Sequence, residues 1–395
     1  MQKKLLAIAV AGALAPAAAM AQSTVEIYGR ANVGIDLWQA KGATTANQSF
    51  DSRTRIYDQG SRLGFRVNEN LGGGMRAFVV IESGTSLDSG NNVGQSGQST
   101  NASTGFWASR DSYAGIGGSW GDVRFGRQSP YYGNGIISQA GANYINQAMD
   151  NAFSFGGPLG NPSGRESNVL SYNSPTFGGF NASLSYGVGA SEGAGFTGGV
   201  QKKEQVYAVT ARYTGGAIRA QFDYGTRQNT SNVENNDRNG WKVGAGWAYA
   251  PGSQISAIYG EHEQKNTQSN QAQIGGLGVG TIVASGESPK VPIFILNWEH
   301  MMGQWQLIAQ YANWGKLKNV ANTTDTEAQG FTLAGKYFLS KRTGVYGSWS
   351  KIDNKSRSMW DISNAGMSSA TNAALSANNA GADPQIFAIG IMHNF

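Results

Sequence analysis

The sequence predicts an all-β fold, a transmembrane antiparallel up-and-down β-barrel of about sixteen strands. Three observations support this prediction. Apolar and polar residues alternate with a period of two along much of the chain, as in strands with one apolar and one polar face. The chain combines 56 Gly and 11% aromatic residues with only 14% charged residues, whereas soluble proteins carry about 25%. After the first segment no apolar run reaches the roughly 18 residues of a membrane-spanning helix.

The N-terminal segment, residues 1–21, reads as a cleaved signal peptide. Lys3 and Lys4 precede the apolar stretch LLAIAVAGALAPAAA, and Ala19 and Ala21 supply small residues before a cleavage point at Gln22. Residues 22–395 contain no linker and no break in composition, so we expect a single domain there. The sequence therefore predicts one exported β-domain.

The strands follow one another with the same alternation. In the first strand, VEIYGRANVGIDL, Val25, Ile27 and Val33 share one face and Glu26 and Arg30 share the other. The next strands are RLGFRVN and MRAFVVIE, and later ones are FNASLSYG, VYAVTARY, AIRAQFDYG, WKVGAGWAY, SQISAIYG, WQLIAQYANW, GFTLAGKYF and TGVYGSWS. The last strand, QIFAIGIMHNF, ends on Phe395.

The connections alternate between short and long, which predicts an up-and-down meander with all long loops at one end. The short connections are NENLGGG, GGSWGD, NSPTFGG, TGGA, APGS, HMMGQ and LSKRT. The long ones, such as Gly84–Thr104, Thr226–Asn239 and Asp353–Asp383, are rich in Asn, Ser and Gly. The third long loop, Gln128–Arg165, is too long for a simple hairpin, which indicates a functional role.

The apolar face could meet either a second sheet or lipid. The aromatic residues decide for lipid, because Tyr and Trp cluster at the ends of the apolar faces, as in the interfacial girdles of a membrane barrel. These residues are Trp38, Tyr186, Tyr213, Tyr224, Trp241, Tyr249, Tyr311, Trp314 and Tyr337. A barrel leaves no sheet edge in lipid, so we expect the last strand to pair with the first and Phe395 to lie at an interface.

Several longer motifs resemble one known family, the trimeric general porins of β-proteobacteria, of the Neisseria, Bordetella and Comamonas types. They are VEIYGR, SRLGFRVNENLGGGMRAFVVIE at Ser61–Glu82, SRDSYAGIGGSWGDVRFGRQ at Ser109–Gln128, NVLSYNSPTFGGFNASLSYG at Asn168–Gly187, and LSKRTGVYGSWS. The resemblance covers nearly all of residues 22–395. It implies a homotrimer in the outer membrane of a Gram-negative bacterium, with the third long loop folded into each pore.

The same resemblance implies what the barrel does. We expect a water-filled channel for passive diffusion of ions and small hydrophilic solutes, with membrane lipid and lipopolysaccharide around its outer face. The terminal Phe395 resembles the signal that the barrel-insertion machinery reads. The alternative is a solute-specific channel or a surface adhesin on the same barrel. The sequence leaves the preferred solute, the conductance and any voltage gating open.

A small set of charged residues is predicted to line the pore constriction. Alternation turns Arg62, Arg66 and Arg30 toward the lumen, and the resemblance points to Arg62 and Arg110 as constriction arginines and to Glu82 as an acidic wall position. The remaining candidates are Arg124 and Arg127, which lead into the third loop, and Asp150, the only charged residue between Gln128 and Gly164.

This charge distribution predicts weak to moderate anion preference, because arginines on the wall face an almost uncharged loop. In the alternative, the arginines pair with Glu82, Asp36 or Asp150 and leave little net field. Strict alternation would also place Arg110 on the lipid side with Ala114, unless a bulge intervenes.

Other chemistries find little support in the sequence. GGSWG at Gly117–Gly121 matches a nucleophile-elbow pattern but lies between two β patterns, without the strand–turn–helix that the motif requires. His262, His300 and His393 are widely spaced, and the chain has no Cys. We therefore expect no enzyme activity, no metal site and no cofactor. A net charge of only +5 does not indicate nucleic-acid binding.

Overall fold

A computed structural model describes residues 23–88, 107–130, 165–188, 204–229, 235–267, 286–358, 360, 362 and 380–395. The predicted signal peptide, Asp150 and nearly all of the third long loop lie outside the described residues. Among the described residues, no helix has the length and hydropathy needed to cross a bilayer.

The described chain forms one antiparallel sheet of seventeen strands. They are β1 Thr24–Lys41, β2 Phe50–Asp58, β3 Arg62–Gly72, β4 Met75–Gly84, β5 Ser112–Gly118, β6 Gly121–Gln128, β7 Glu166–Asn173, β8 Phe180–Val188 and β9 Gln205–Gly215. The others are β10 Ile218–Gln228, β11 Arg238–Ala250, β12 Ser253–Gln264, β13 Lys290–Met302, β14 Trp305–Trp314, β15 Ala328–Phe338, β16 Thr343–Asn354 and β17 Asp383–Asn394.

The sheet closes on itself, because β1 pairs with β17 from Arg30–Asn394 to Lys41–Asp383. Closure leaves no exposed edge between the first and last strands, as a barrel in lipid requires. The chain end extends the pairing, since the Gly29 N–H donates to the Phe395 carbonyl at 3.0 Å. The predicted pairing of the final strand with the first is thus present.

Seventeen strands occupy sixteen positions in the barrel wall, because β2 and β3 follow one another along the same edge of β1. Residues Thr24–Arg30 of β1 pair with β3, and residues Val33–Ala40 pair with β2. The chain leaves the ladder between them at Gln59–Ser61, where Gly60 has a φ of 70°. The prediction of an antiparallel barrel of about sixteen strands is confirmed.

The short connections all lie at one end of the barrel and join β3 to β4, β5 to β6, and so on to β15 and β16. The turn after NENL consists of Gly72, Gly73 and Gly74, with φ of 81°, 60° and 76°. These left-handed conformations favour Gly, which explains the triplet. One predicted loop was too long, since β10 continues to Gln228 and β11 begins at Arg238.

The outer face of the barrel is apolar and exposed. Val25, Ile27, Ile56 and Ile389 are 67%, 60%, 70% and 65% exposed. Such a continuous apolar surface is incompatible with water and fits the lipid-facing band of a membrane barrel. The face predicted to be apolar in the first strand is therefore the outer face.

Two members of the predicted aromatic girdle face inward instead. Trp38 and Trp314 are buried, and the Trp314 ring lies 4.7 Å from the ring of Trp360. Trp360 lies near the start of the eighth long loop, which connects β16 to β17. The Asn354 side chain holds this loop residue, donating to the Trp360 carbonyl and accepting from its N–H, each at 2.9 Å. The girdle prediction was wrong for these two residues. Because neighbouring residues of a strand face opposite sides, Trp38 faces the lumen when Leu37 faces the lipid. The strand alternation therefore determines the orientation of Trp38.

Candidate functional site

The first cluster in the lumen surrounds Glu82 on β4. The Arg62 Nε lies 3.8 Å from Glu82 Oε2, and the Arg110 Nε donates to Glu82 Oε1. The Tyr28 hydroxyl also donates to Oε2, at 3.1 Å. Tyr28 can lie flat on the wall because Gly64 has no side chain, and a Cβ there would come within 2.3 Å of the Tyr28 ring. The Glu82 carboxylate thus interacts with the guanidinium groups of Arg62 and Arg110 and with the hydroxyl of Tyr28.

Arg110 reaches this cluster from the segment just before β5, where its bond to Glu82 is shifted by one residue from the register of β4 and β5. It precedes β5, so the alternation of that strand does not extend to it. Its N–H donates to the Glu82 carbonyl at 2.9 Å, and the neighbouring Ser109 Oγ accepts from the Gly84 N–H at 2.9 Å. These bonds direct the buried Arg110 side chain inward, which answers the question that strict alternation left open.

A second cluster surrounds Asp122 on β6. Arg124 donates from Nε and Nη2 to the two oxygens of Asp122, at 2.6 and 3.1 Å. The Arg76 Nη2 lies 3.8 Å from Asp122 Oδ2, and the Asn173 amide donates to Oδ1 at 2.9 Å. Sequence reasoning missed Asp122, although GDVRFGR places it on the same strand face as Arg124.

A third cluster lies across β9, β10 and β11. The Lys242 Nζ is 4.0 Å from Asp223 Oδ2, and the Thr210 hydroxyl donates to Asp223 Oδ1 at 2.6 Å. Arg212 lies opposite Gln221, two residues along β9 from Thr210 and on the same strand face. No motif in this part of the sequence pointed to these residues, because their approach depends on the register of three strands.

The other predicted site residues have separate partners. Arg66 Nη1 donates to Glu26 Oε2 at 2.6 Å, and Arg30 Nε donates to Asn394 Oδ1 at 2.9 Å. Arg127 donates to the Ser109 carbonyl at 3.1 Å and to Ser167 Oγ at 3.0 Å, so it connects the bases of the second and third long loops.

Cationic side chains surround each of the three carboxylates. Glu82 lies with Arg62 and Arg110, Asp122 with Arg76 and Arg124, and Asp223 with Lys242 and Arg212. Glu82 and Asp122 thus each form ion pairs with two arginines among the described residues. Asp36 forms a bidentate pair with Arg55 at 2.8 and 2.8 Å.

The residues considered for metal binding and nucleophilic catalysis lie apart in the described part of the chain. Within the described ranges, no three His, Cys, Asp or Glu side chains converge as metal ligands. His262, His300 and His393 lie on β12, β13 and β17. Ser119 of the GGSWG motif lies in the short turn between β5 and β6, without a helix after it.

A closed barrel with an apolar outer face and a charged, hydrogen-bonded lumen belongs to the class of membrane channels that cross the bilayer with strands. The family model described as Gram-negative porin matches residues 7–357. The chain belongs to the Gram-negative porin family.

Individual relatives and solved structures match this chain over most of their length. The outer membrane porin protein 32 of Delftia acidovorans is 26% identical over 364 residues, which is 91% of this chain and 91% of that protein. The solved structure of the anion-selective porin from Comamonas acidovorans has a TM-score of 0.67 at 22% identity, covering 95% of this chain and 100% of the other. OmpT of Vibrio cholerae, solved in a trimer form, has a TM-score of 0.61 at 14% identity, covering 94% and 99%.

Family and fold together define the activity. The protein is an outer-membrane channel through which ions and small hydrophilic solutes diffuse passively. The predicted function and location are confirmed at this level.

Proposed function

We propose that the channel prefers anions and that Arg62, Arg110 and Glu82 form part of its constriction. The observation that carries this proposal is the sharing of one carboxylate between two arginines, at Glu82 and again at Asp122. A lumen enclosed by low-dielectric walls concentrates the field of the charged groups that line it, so arginines grouped at one place raise the local anion concentration.

The remaining candidates act around this constriction. Arg124 adds positive charge at the Asp122 cluster, and Arg66 and Arg30 add it toward the end of the barrel with the short turns. Arg127 fastens the base of the third long loop, and Asp150 on that loop supplies the counter-charge. The Comamonas porin, described as anion-selective, supports the proposal through its fold alone.

The test is the reversal potential of the purified protein in a planar bilayer between unequal KCl solutions. We expect a chloride-directed potential that Arg62→Ala moves toward zero. Arg342→Ala removes the same charge from an exposed turn and is the matched control, so it should leave the potential unchanged. A potassium-directed potential would overturn the charge assignment, and saturable transport of one solute would instead indicate a solute-specific channel.

The outer face of the barrel also bears on the oligomeric state. We propose a homotrimer whose contacts involve the outer faces of the first and last strands, because β1 carries Val and Ile there without bulky rings along most of its length. Vibrio cholerae OmpT, with the same fold, has a trimer form. Cross-linking in mild detergent tests this, and monomers alone would contradict it.

Biogenesis and chemistry complete the proposal. Residues 1–21 are removed on export, residues 22–395 form one barrel domain, and Phe395 is read by the insertion machinery. The barrel lies in lipid and lipopolysaccharide, needs no cofactor and catalyses no reaction. N-terminal sequencing of the mature protein tests the cleavage, and labelling by a serine-reactive probe would contradict the absence of enzyme activity.

A further inference from the structure

The short segment just before β5 contacts both the constriction and the third long loop. The Arg110 N–H donates to the Glu82 carbonyl at 2.9 Å, and the Arg110 side chain pairs with the Glu82 carboxylate. The next residue, Asp111, has different partners. Its Oδ1 accepts from Ser129 Oγ at 2.9 Å and from Arg165 Nε at 2.9 Å. One carboxylate oxygen therefore binds both ends of the third long loop, just after β6 and just before β7.

The order of the strands gives these bonds a direction. The strands β5, β6 and β7 are consecutive neighbours in the wall, so β6 separates β5 from β7. Arg165 precedes β7 and Asp111 precedes β5, so the Arg165 side chain reaches past the end of β6 to its partner. Arg127 makes a second link across β6, since it donates to the Ser109 carbonyl and to Ser167 Oγ. The base of the third loop is thus held toward the β5 side of the wall, beside the first lumen cluster.

Asp111 is not needed to bring the two ends of the loop together. The backbone ladder already does so, because Gln128 pairs with Glu166. Arg227 also holds Glu166 through an ion pair of its own. The bonds of Asp111 act instead between the loop base and the segment that carries Arg110. They fix the point at which the loop leaves the wall, while other contacts hold β6 and β7.

The exposure of the pair indicates a positional role. The Asp111 side chain is 38% exposed, and that of Arg165 is 14% exposed. Ion pairs with this much access to solvent contribute little to the free energy of unfolding, because water screens the charges. An oxygen that accepts from two separate segments still restricts both, because hydrogen bonds weaken steeply away from their preferred geometry. Removing it should change the position of the loop base more than the stability of the barrel.

We propose that Asp111 is a positioning residue that limits the channel opening by fixing the base of the third long loop beside Arg110. This rests on the proposed function, in which Arg110 and Glu82 form part of the constriction, and on the third loop lying in the pore, as the family resemblance implies. Without Asp111 the loop base loses its link to the segment before β5, and the loop covers less of the opening. Asp111 thus acts on the size of the solutes that pass, whereas Arg62 acts on their charge.

The experiment measures neutral solutes, so that ion selectivity does not enter. The mature barrel is reconstituted in liposomes, and the swelling rate with raffinose is divided by the swelling rate with glucose. Asp111→Ala should raise this ratio, because the opening widens. Arg165→Ala and Ser129→Ala each remove one of the two bonds and should raise it less. Combining Asp111→Ala with Arg165→Ala should raise it no more than Asp111→Ala alone, because both changes break the same link.

Two comparisons separate position from charge. Asp111→Asn removes the negative charge as Asp111→Ala does, but it keeps an oxygen that can accept from Ser129 and Arg165. It should leave the ratio close to that of the parent protein. Arg165→Ala removes the opposite charge and should nevertheless shift the ratio in the same direction as Asp111→Ala. Asp51→Ala is the matched control, because it removes an exposed acid that pairs with Lys41, and it should leave the ratio unchanged.

Heat-dependent mobility on gels identifies the folded variants before swelling is measured. An unchanged ratio in Asp111→Ala overturns the proposal, and so does an equal rise in Asp111→Asn and Asp111→Ala, because the lost charge would then explain the effect. If Asp111→Ala does not fold, unchanged ratios in both Arg165→Ala and Ser129→Ala overturn it. Failure of the anion preference would instead appear as a potassium-directed potential with these swelling ratios intact, so the two proposals fail separately.

Discussion

Tyr57 and Tyr346 meet through their hydroxyl oxygens, 2.8 Å apart, although 289 residues separate them in the chain. Each ring lies on the inner wall over a glycine of the neighbouring strand. A Cβ at Gly34 would come within 2.6 Å of the Tyr57 hydroxyl, and one at Gly390 within 2.5 Å of the Tyr346 hydroxyl. The tyrosines thus reach from β2 and β16 across β1 and β17, where the barrel closes.

Removing the Tyr346 hydroxyl should weaken this closure. Its oxygen also donates to Asn32 Oδ1 at 2.8 Å, so Tyr346→Phe removes two buried hydrogen bonds. We expect the free energy of unfolding to fall by about 1–3 kcal/mol, measured by urea titration in detergent. Tyr337→Phe removes an exposed hydroxyl and serves as the control. Equal losses in the two variants would show that the contact adds no stability.

The glycine under Tyr346 should tolerate no side chain. Gly390→Ala places a Cβ within 2.5 Å of the Tyr346 ring and 2.9 Å of the Val33 carbonyl, so the ring or the ladder must shift. We expect a markedly lower yield of folded barrel, measured by heat-dependent mobility on gels. Gly347→Ala is the matched control, because its Cβ would meet no atom closer than 3.9 Å. Normal folding of Gly390→Ala would contradict the close packing.

The inner face illustrates what the sequence can and cannot predict. Alternation correctly orients Arg62 and Arg66, because a strand allows only two side-chain directions. It says nothing about which residues of distant strands meet, so the approach of Tyr57 to Tyr346 and of Arg76 to Asp122 depended on the observed register.

The conformation of segments between strands was the second feature that the sequence could not predict. Arg110 turns inward because backbone bonds at Glu82 and Gly84 fix the chain before β5 begins, and no periodic pattern describes such a segment. Trp38 was assigned to the lipid interface from residue type, while its position in the alternation indicated the lumen. Where residue type and periodicity disagreed, periodicity was the better guide, because the pleat fixes the direction of every side chain.

The Asp122 cluster should contribute to ion selectivity. Asp122→Asn removes the carboxylate that Arg76 and Arg124 share, which leaves both guanidinium groups with less compensation. We expect the reversal potential to become more chloride-directed, and Arg124→Ala should shift it the opposite way. Asp51→Asn, an exposed acid with its own lysine, is the control for nonspecific loss of negative charge. A change of the same size in that control would remove the cluster from the explanation.

The eighth long loop should depend on Trp360 for its attachment inside the barrel mouth. Trp360 is 4% exposed and packs on Trp314, within an apolar cluster that includes Ile293 and Ile352. Trp360→Ala removes this contact while the backbone bonds to Asn354 remain possible. We expect a loss of about 3–5 kcal/mol in the free energy of unfolding, as for other buried Trp truncations.

The same variant should also change permeation, because the Trp360 ring no longer covers Trp314 on the inner face of the wall. Single-channel conductance should rise, and larger neutral solutes should enter proteoliposomes faster. Trp120→Ala, in the exposed turn between β5 and β6, is the matched control and should change neither quantity. If Trp360→Ala loses stability without a change in conductance, the apolar cluster holds the loop in place but does not limit the opening.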